Sequence, residues 1–127
     1  MYDHGGLFGS STSSTLRIKA NRILTHNGRT AHVFVWTCAG GETRGQLSIT
    51  LRLLGTEVVS ARPWLQLYEG ASCNNDDLDD EELSPSRTVP RNVSRGFNLS
   101  VTNNEFGSYY DYATAAFDVT HWEGAGP

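Results

Sequence analysis

The chain has 127 residues, 38% of them hydrophobic and 19% charged, which suits one globular domain with one modest core. Its net charge of −4 includes the acidic run DDLDDEE at residues 76–82, which contributes −6, so the other residues sum to +2 and form no basic stripe of the kind that binds nucleic acid. No stretch approaches the roughly 18 consecutive apolar residues of a membrane span.

The two ends of the chain differ in composition from the middle. Residues 1–15 are rich in Gly and Ser and predict a flexible N-terminal arm. Residues 123–127, EGAGP, predict a disordered tail. The folded domain is therefore expected over residues 16–122.

Apolar and polar residues alternate with a period of two through this domain, which is typical of half-buried strands. TLRIKA at 15–20 places Leu16, Ile18 and Ala20 on one face. AHVFVWTC at 31–38 carries β-branched and aromatic residues on both faces, which predicts a more central strand. The further predicted strands are QLSITLRLL at 46–54, WLQLYEG at 64–70, FNLSVT at 97–102 and YYDYATAAFDVTHW at 109–122.

Short Gly-containing turns separate most of these strands. Asn27-Gly28 and Gly40-Gly41 suit tight hairpin turns, and Gly55 lies in a third turn. Only the connection at 70–95 is long; it contains the acidic run, where DDLDDEEL suits at most one helical turn. Six or seven strands with one long acidic connection predict an all-β fold, a single antiparallel β-sandwich, with a small β-barrel as the alternative.

Two cysteines, Cys38 and Cys73, lie at the ends of predicted strands and predict a disulfide. The alternative is a pair of free thiols in a cytosolic domain. A disulfide implies an oxidising compartment, so we expect an extracellular or cell-surface protein. The residues after Met1 show no secretory signal.

The acidic run is the strongest candidate for metal binding, since Ca²⁺ takes six to eight oxygen ligands. Its spacing departs from the EF-hand: counted from Asn75, position six is Asp80 rather than Gly, and position twelve is Ser86 rather than Glu. The alternative is a solvated acidic loop. No other cofactor is predicted. The candidate ligands are Asp76, Asp77, Asp79 and Asp80.

Three arginines, Arg87, Arg91 and Arg95, follow the acidic run at intervals of four. One interpretation is that they neutralise the run within the same copy. Another is that they meet the run of a neighbouring copy, which favours head-to-tail assembly. The third is two independent solvated patches.

The aromatic residues near the C-terminus suggest a ligand or partner surface made by Tyr110, Asp111, Tyr112 and Trp122. Exposed aromatic rings beside carboxylates suit sugar binding. The alternative is that this face is covered by the other sheet or by a partner subunit.

Enzyme signatures are weak, because the four histidines lack HxH or HExxH spacing and no GxSxG is present. We therefore expect a secreted, non-catalytic binding or structural module with a protein or glycan partner. One alternative is a self-assembling subunit of a fibre, capsid or surface layer that uses residues 1–15. A second alternative is a Ca²⁺-dependent glycan-binding module.

Overall fold

Nine β-strands and no helix make up the regular structure of residues 2–4, 11–70, 72–74, 76–103 and 111–122, which are the residues described by this computed structural model. In chain order the strands are β1 (Tyr2–His4), β2 (Ser11–Ser13), β3 (Thr30–Ala39), β4 (Thr43–Leu54), β5 (Val58–Glu69), β6 (Leu78–Leu83), β7 (Arg87–Pro90), β8 (Ser94–Asn103) and β9 (Asp111–Thr120).

The strands form two antiparallel sheets that pack face to face. The five-stranded sheet has the order β3-β4-β5-β6, with β7 also paired to β5. The four-stranded sheet has the order β2-β1-β9-β8. The predicted all-β sandwich is therefore confirmed, and a closed barrel is not found in the described part of the chain.

The core lies between the two sheets, and the period-two alternation selects which side chains enter it. Phe97, Leu99 and Val101 of β8 are buried together with Leu65 and Leu67 of β5. Fully burying an apolar side chain of this size stabilises a fold by about 1.5–3 kcal/mol. Alternation predicts that Leu65, Leu67, Phe97, Leu99 and Val101 face inward, and their burial confirms this prediction.

Pro63 lies in the middle of β5 although proline cannot donate to a sheet ladder. On that side of β5, β6 ends at Leu83 and β7 begins only at Arg87. Pro63 faces this gap, and its carbonyl accepts a hydrogen bond from the Ser84 amide at 3.0 Å. The proline is tolerated because no strand partner requires its missing N–H.

The acidic run forms a strand rather than a loop or a helical turn. Leu78–Leu83 pairs with β5, and the register shifts between Leu67 and Tyr68, which leaves Asp79 as an extra residue. Carboxylate residues have low strand propensity, so composition alone does not predict this element. Backbone pairing with β5, together with the position at a sheet edge, outweighs the low strand propensity of the carboxylate residues.

Two carboxylates of β6 close one side of the sandwich. Asp80 and Glu82 pair with Leu67 and Leu65 of β5, so their side chains point toward the other sheet. Asp80 Oδ2 accepts from the Thr102 amide at 3.0 Å, and Glu82 Oε1 accepts from the Ser100 amide at 3.1 Å. Both pairs are spaced by two residues, so the carboxylates satisfy successive outward N–H groups of β8.

The three arginines after the acidic run have contacts elsewhere. Arg87 donates to the Gly96 carbonyl at 3.2 Å and stacks over the Phe97 ring, while Arg95 donates to the Thr88 carbonyl. Arg91 lies 3.8 Å from Glu57. Arg87 and Arg95 therefore connect β7 and β8 through hydrogen bonds to backbone carbonyls, whereas the prediction paired them with the acidic run of the same copy. Pairing of the arginines with the acidic run of a second copy stays a prediction.

The first predicted strand, at residues 15–20, is absent. Residues 14–24 form no strand, and Leu16, Ile18 and Ile23 are exposed. Thr25 and Gly28 close a turn ahead of β3, but this Asn-Gly turn joins no hairpin because residues 14–24, directly before it, form no strand. The prediction fails because alternation alone does not supply a neighbouring strand to pair with.

On the side of the sandwich opposite the β6–β8 contact, residues 14–18 lie beside β3, and the Ser14 hydroxyl is hydrogen-bonded to the Thr37 hydroxyl. A cavity of about 410 Å³ lies there between the sheets, lined by residues 14–18 and by side chains of β3, β4, β5 and β9. β1 and β2 fall inside the segment predicted as an arm, and the sequence did not predict them. Residues 123–127, the predicted tail, lie outside the described residues.

Removing the two carboxylates that bind β8 should destabilise the sandwich. The double substitution Asp80→Ala with Glu82→Ala leaves two edge N–H groups without their charged acceptors, which costs about 1 kcal/mol for each bond. Urea unfolding measures this loss. Asp76→Ala with Asp118→Ala removes the same charge at two exposed positions elsewhere and serves as the control; an equal loss in both double variants would contradict the role of this contact.

Candidate functional site

The outward side chains of the five-stranded sheet, here called the outer face, are set in rows by the strand register. Each row crosses the sheet from β3 through β4 and β5 to β6. One row holds Trp36, Gln46, Gln66 and Glu81, and the next holds Phe34, Ser48, Trp64 and Leu83. The outer face therefore combines aromatic rings with amides and a carboxylate.

The aromatic rings lie on two strands with smaller polar residues between them. Phe34 and Trp36 are 54% and 52% exposed because β3 is the edge of the sheet. Trp64 on β5 is half-buried. Gln46 and Ser48 of β4 separate these rings, across a width of about 10 Å from β3 to β5. We call this part of the outer face, with aromatic residues on β3 and β5 and the polar residues of β4 between them, the trough.

Hydrogen bonds fix the polar groups of the trough. Gln46 Nε2 donates to Gln66 Oε1 at 2.8 Å, and the Gln66 side chain is buried. Trp64 Nε1 donates to Glu81 Oε1 at 2.7 Å, which orients both the indole ring and the carboxylate. A primary amide offers two N–H donors and an acceptor oxygen, so half-buried Gln46 retains hydrogen-bonding capacity for a ligand, whereas buried Gln66 orients the Gln46 amide.

The disulfide links β3, at one end of the outer face, to the segment between β5 and β6. Cys38 of β3 is bonded to Cys73, with a Cα–Cα distance of 6.0 Å. Arg44 donates to the Cys73 carbonyl, and its guanidinium lies 4.3 Å from the centre of the Tyr68 ring. The predicted disulfide is confirmed, and it is consistent with an oxidising compartment.

The predicted aromatic surface near the C-terminus lies only partly within the described residues. Tyr110 lies outside them, as does the side chain of Asp111. Tyr112 is half-buried in β9, where its backbone pairs with Tyr2, and Trp122 is 67% exposed after the end of β9. A surface that joins these four residues stays a prediction.

The four aspartates predicted as calcium ligands are dispersed along β6 and the segment before it. Asp76 and Asp77 precede β6, with the Asp77 carbonyl accepting from the Glu69 amide, while the Asp80 carboxylate is bound to β8. In the part of the chain that the structure describes, no group of three or more His, Cys, Asp or Glu side chains is arranged to hold a metal ion. The calcium site stays a prediction without a described geometry.

The outer face does not follow from the sequence prediction, in which residues 31–38 form a more central strand. That prediction rests on β-branched and aromatic residues on both faces of the strand, with Phe34 and Trp36 two positions apart. The structure places β3 at an edge, so that prediction is wrong. The signal was the spacing itself, since residues i and i+2 share one face of a strand, and Trp64 with Gln66 repeats it on β5.

Comparison with known proteins gives no match: no protein-family model, no curated protein and no solved structure matches this chain. Within the described ranges, no helix has the length and apolar character needed to cross a membrane.

The disulfide should contribute strongly to stability. It closes a loop with a sequence separation of 35 residues, so replacing both cysteines by Ser should lower the free energy of unfolding by about 3–4 kcal/mol on the chain-entropy model. Urea unfolding with and without reductant measures this. Reductant should destabilise the natural chain and leave the double variant unchanged; no effect of reductant on the natural chain would contradict the disulfide.

The glutamine pair of the outer face gives a second stability prediction. Gln46→Ala should cost about 1–3 kcal/mol, because it leaves the buried Gln66 amide without its donor. Ser48→Ala, on the same strand and face, is the control and should change stability by less than about 0.5 kcal/mol. Thermal or urea unfolding compares the two variants. Equal effects would show that the amide pair is unimportant for the outer face.

Proposed function

We propose that the chain is a non-catalytic binding module that takes a carbohydrate on the outer face of its five-stranded sheet. The observation that carries this proposal is the trough, in which exposed Phe34 and Trp36 of β3 lie beside the Gln46 amide, which is held by buried Gln66. Binding sites of this kind combine apolar contact area with a small number of fixed polar groups.

A sugar ring suits this surface because it has both apolar and polar sides. Its C–H faces pack on aromatic rings, which have a negative face and a large apolar area. Its hydroxyl groups both donate and accept, so they match amides and the Glu81 carboxylate, which is already oriented by the indole of Trp64. The rows of the sheet keep these groups at fixed spacings, which lowers the entropic cost of binding.

An extracellular or cell-surface location fits the same proposal. The Cys38–Cys73 disulfide persists in an oxidising compartment, where polysaccharides and glycoproteins are the common surface ligands. The module binds rather than reacts: the carboxylates with described side-chain bonds, Asp80, Glu81 and Glu82, hold structural partners. A secreted binding module is therefore favoured over an enzyme.

Binding to soluble polysaccharides tests the proposal. Affinity electrophoresis against a β-glucan, a xylan, a mannan and an α-glucan should give retardation by at least one of them. Trp36→Ala and Trp64→Ala should each weaken that binding about tenfold or more, since truncating an aromatic anchor often costs about 2 kcal/mol. Adding Ca²⁺ or EDTA in parallel tests whether binding depends on calcium.

Trp122→Ala is the matched control, because it removes an exposed indole that lies outside the outer face. It should leave binding unchanged. Loss of binding in Trp122→Ala, with retention in the other two variants, would move the ligand to the C-terminal aromatic surface. Carbohydrate binding would be contradicted if none of the polysaccharides retarded the protein and no glycan on an array of protein-linked glycans bound it.

A further inference from the structure

The strand β3 has an unusual edge. It is ten residues long, TAHVFVWTCA, and contains no Asp, Glu, Lys, Arg or Pro. Within the described ranges it pairs only with β4, at the border of the five-stranded sheet. Long apolar edge strands without charges or prolines invite pairing with another chain.

The backbone groups that β3 directs outward follow from two hydrogen bonds. The Leu53 amide donates to the Arg29 carbonyl at 2.8 Å, which shows that odd-numbered residues of this strand face β4. Arg22 Nε donates to the His32 carbonyl at 3.1 Å from the opposite side. The N–H and C=O groups of Phe34, Trp36 and Cys38 therefore point away from the sheet.

Two other edges of the sandwich, β8 and β6, differ from β3. The outward amides of Ser100 and Thr102 on β8 are bound by carboxylates, and the outward Gly96 carbonyl is bound by Arg87. β6 carries acidic side chains at four of its six positions. These are the usual protections of sheet edges, and β3 has none of them in its own sequence.

We propose that β3 pairs in antiparallel orientation with β3 of a second copy of this chain. The partner must supply an extended strand with free backbone groups, and a second β3 does so without like-charge repulsion, because both strands are uncharged. The acidic run lies at the far edge of the same sheet, three strand spacings or about 14 Å away, so the carboxylates of the two copies remain apart.

The contact of Arg22 with His32 fixes the register. The His32 carbonyl is already occupied, whereas no residue that the structure describes is hydrogen-bonded to the outward backbone groups of Phe34–Cys38, a stretch whose centre is Trp36. Trp36 then lies opposite Trp36 of the second copy, and Phe34 lies opposite Cys38 of the second copy. All three positions direct backbone groups outward, so these pairs form narrow hydrogen-bonded pairs.

This pairing also covers exposed apolar surface and joins two outer faces. Phe34 and Trp36 are both more than half exposed in the single copy. In the pair, the β3 strands become central and the two troughs form one continuous surface. The dimer itself does not depend on the proposed carbohydrate binding; only the idea of a joined trough rests on it.

Sedimentation velocity over a wide range of protein concentration, without any carbohydrate, tests the pairing. The natural chain should be a dimer that dissociates on dilution. Trp36→Ala should raise the dissociation constant about tenfold, whereas Trp36→Pro should abolish the dimer, because it also removes an outward N–H that β4 does not use. A monomer at every concentration, or a dimer equally strong in both variants, would overturn the proposal.

A charge-swap experiment tests the two-fold symmetry even if Trp36→Pro fails to fold. Trp36→Lys and Trp36→Glu should each be monomeric, because like charges then face one another at the centre of the pair. An equal mixture should restore a heterodimer. If the mixture forms no heterodimer, residue 36 does not face its counterpart in the second copy, and a head-to-tail contact would replace the proposed one.

Failure of carbohydrate binding with this dimer intact would contradict only the proposed function.

Discussion

The bonds from Asp80 and Glu82 to the outward amides of Ser100 and Thr102 are the interaction on which the arrangement of the two sheets most depends. A sheet edge leaves a row of backbone donors and acceptors that must be satisfied or exposed to water. Here the edge of one sheet is satisfied by side chains from the edge of the other. The acidic run is therefore part of the architecture, and its negative charge is concentrated where it accepts hydrogen bonds.

The opposite side of the sandwich has no comparable contact between carboxylates and backbone amides among the described residues. It is formed by β3 and the irregular residues 14–24, with a cavity between the two sheets. Phe34 and Trp36 lie at this border, on the outward face of the edge strand, and are more than half exposed. Both proposals, a carbohydrate trough and a paired edge, arise from this exposed border of the five-stranded sheet.

The sequence allowed the fold class, the disulfide and the inward faces of most strands to be predicted, because alternation states which side chains share a face. It did not reveal which strand lies beside which. β3 was placed centrally although it is an edge, and residues 15–20 were assigned to a strand that has no partner. β6 was missed because its carboxylates are retained by tertiary hydrogen bonds to Ser100 and Thr102, which no local pattern encodes.

Amide hydrogen exchange of the natural chain at several protein concentrations tests the central claim most directly, because it reports both borders of the sandwich in one experiment. The amides of Ser100 and Thr102 should be protected at every concentration. Those of Phe34 and Trp36 should gain protection only as the concentration rises. Rapid exchange at Ser100 and Thr102 would contradict the account that carboxylates of β6 close the sandwich.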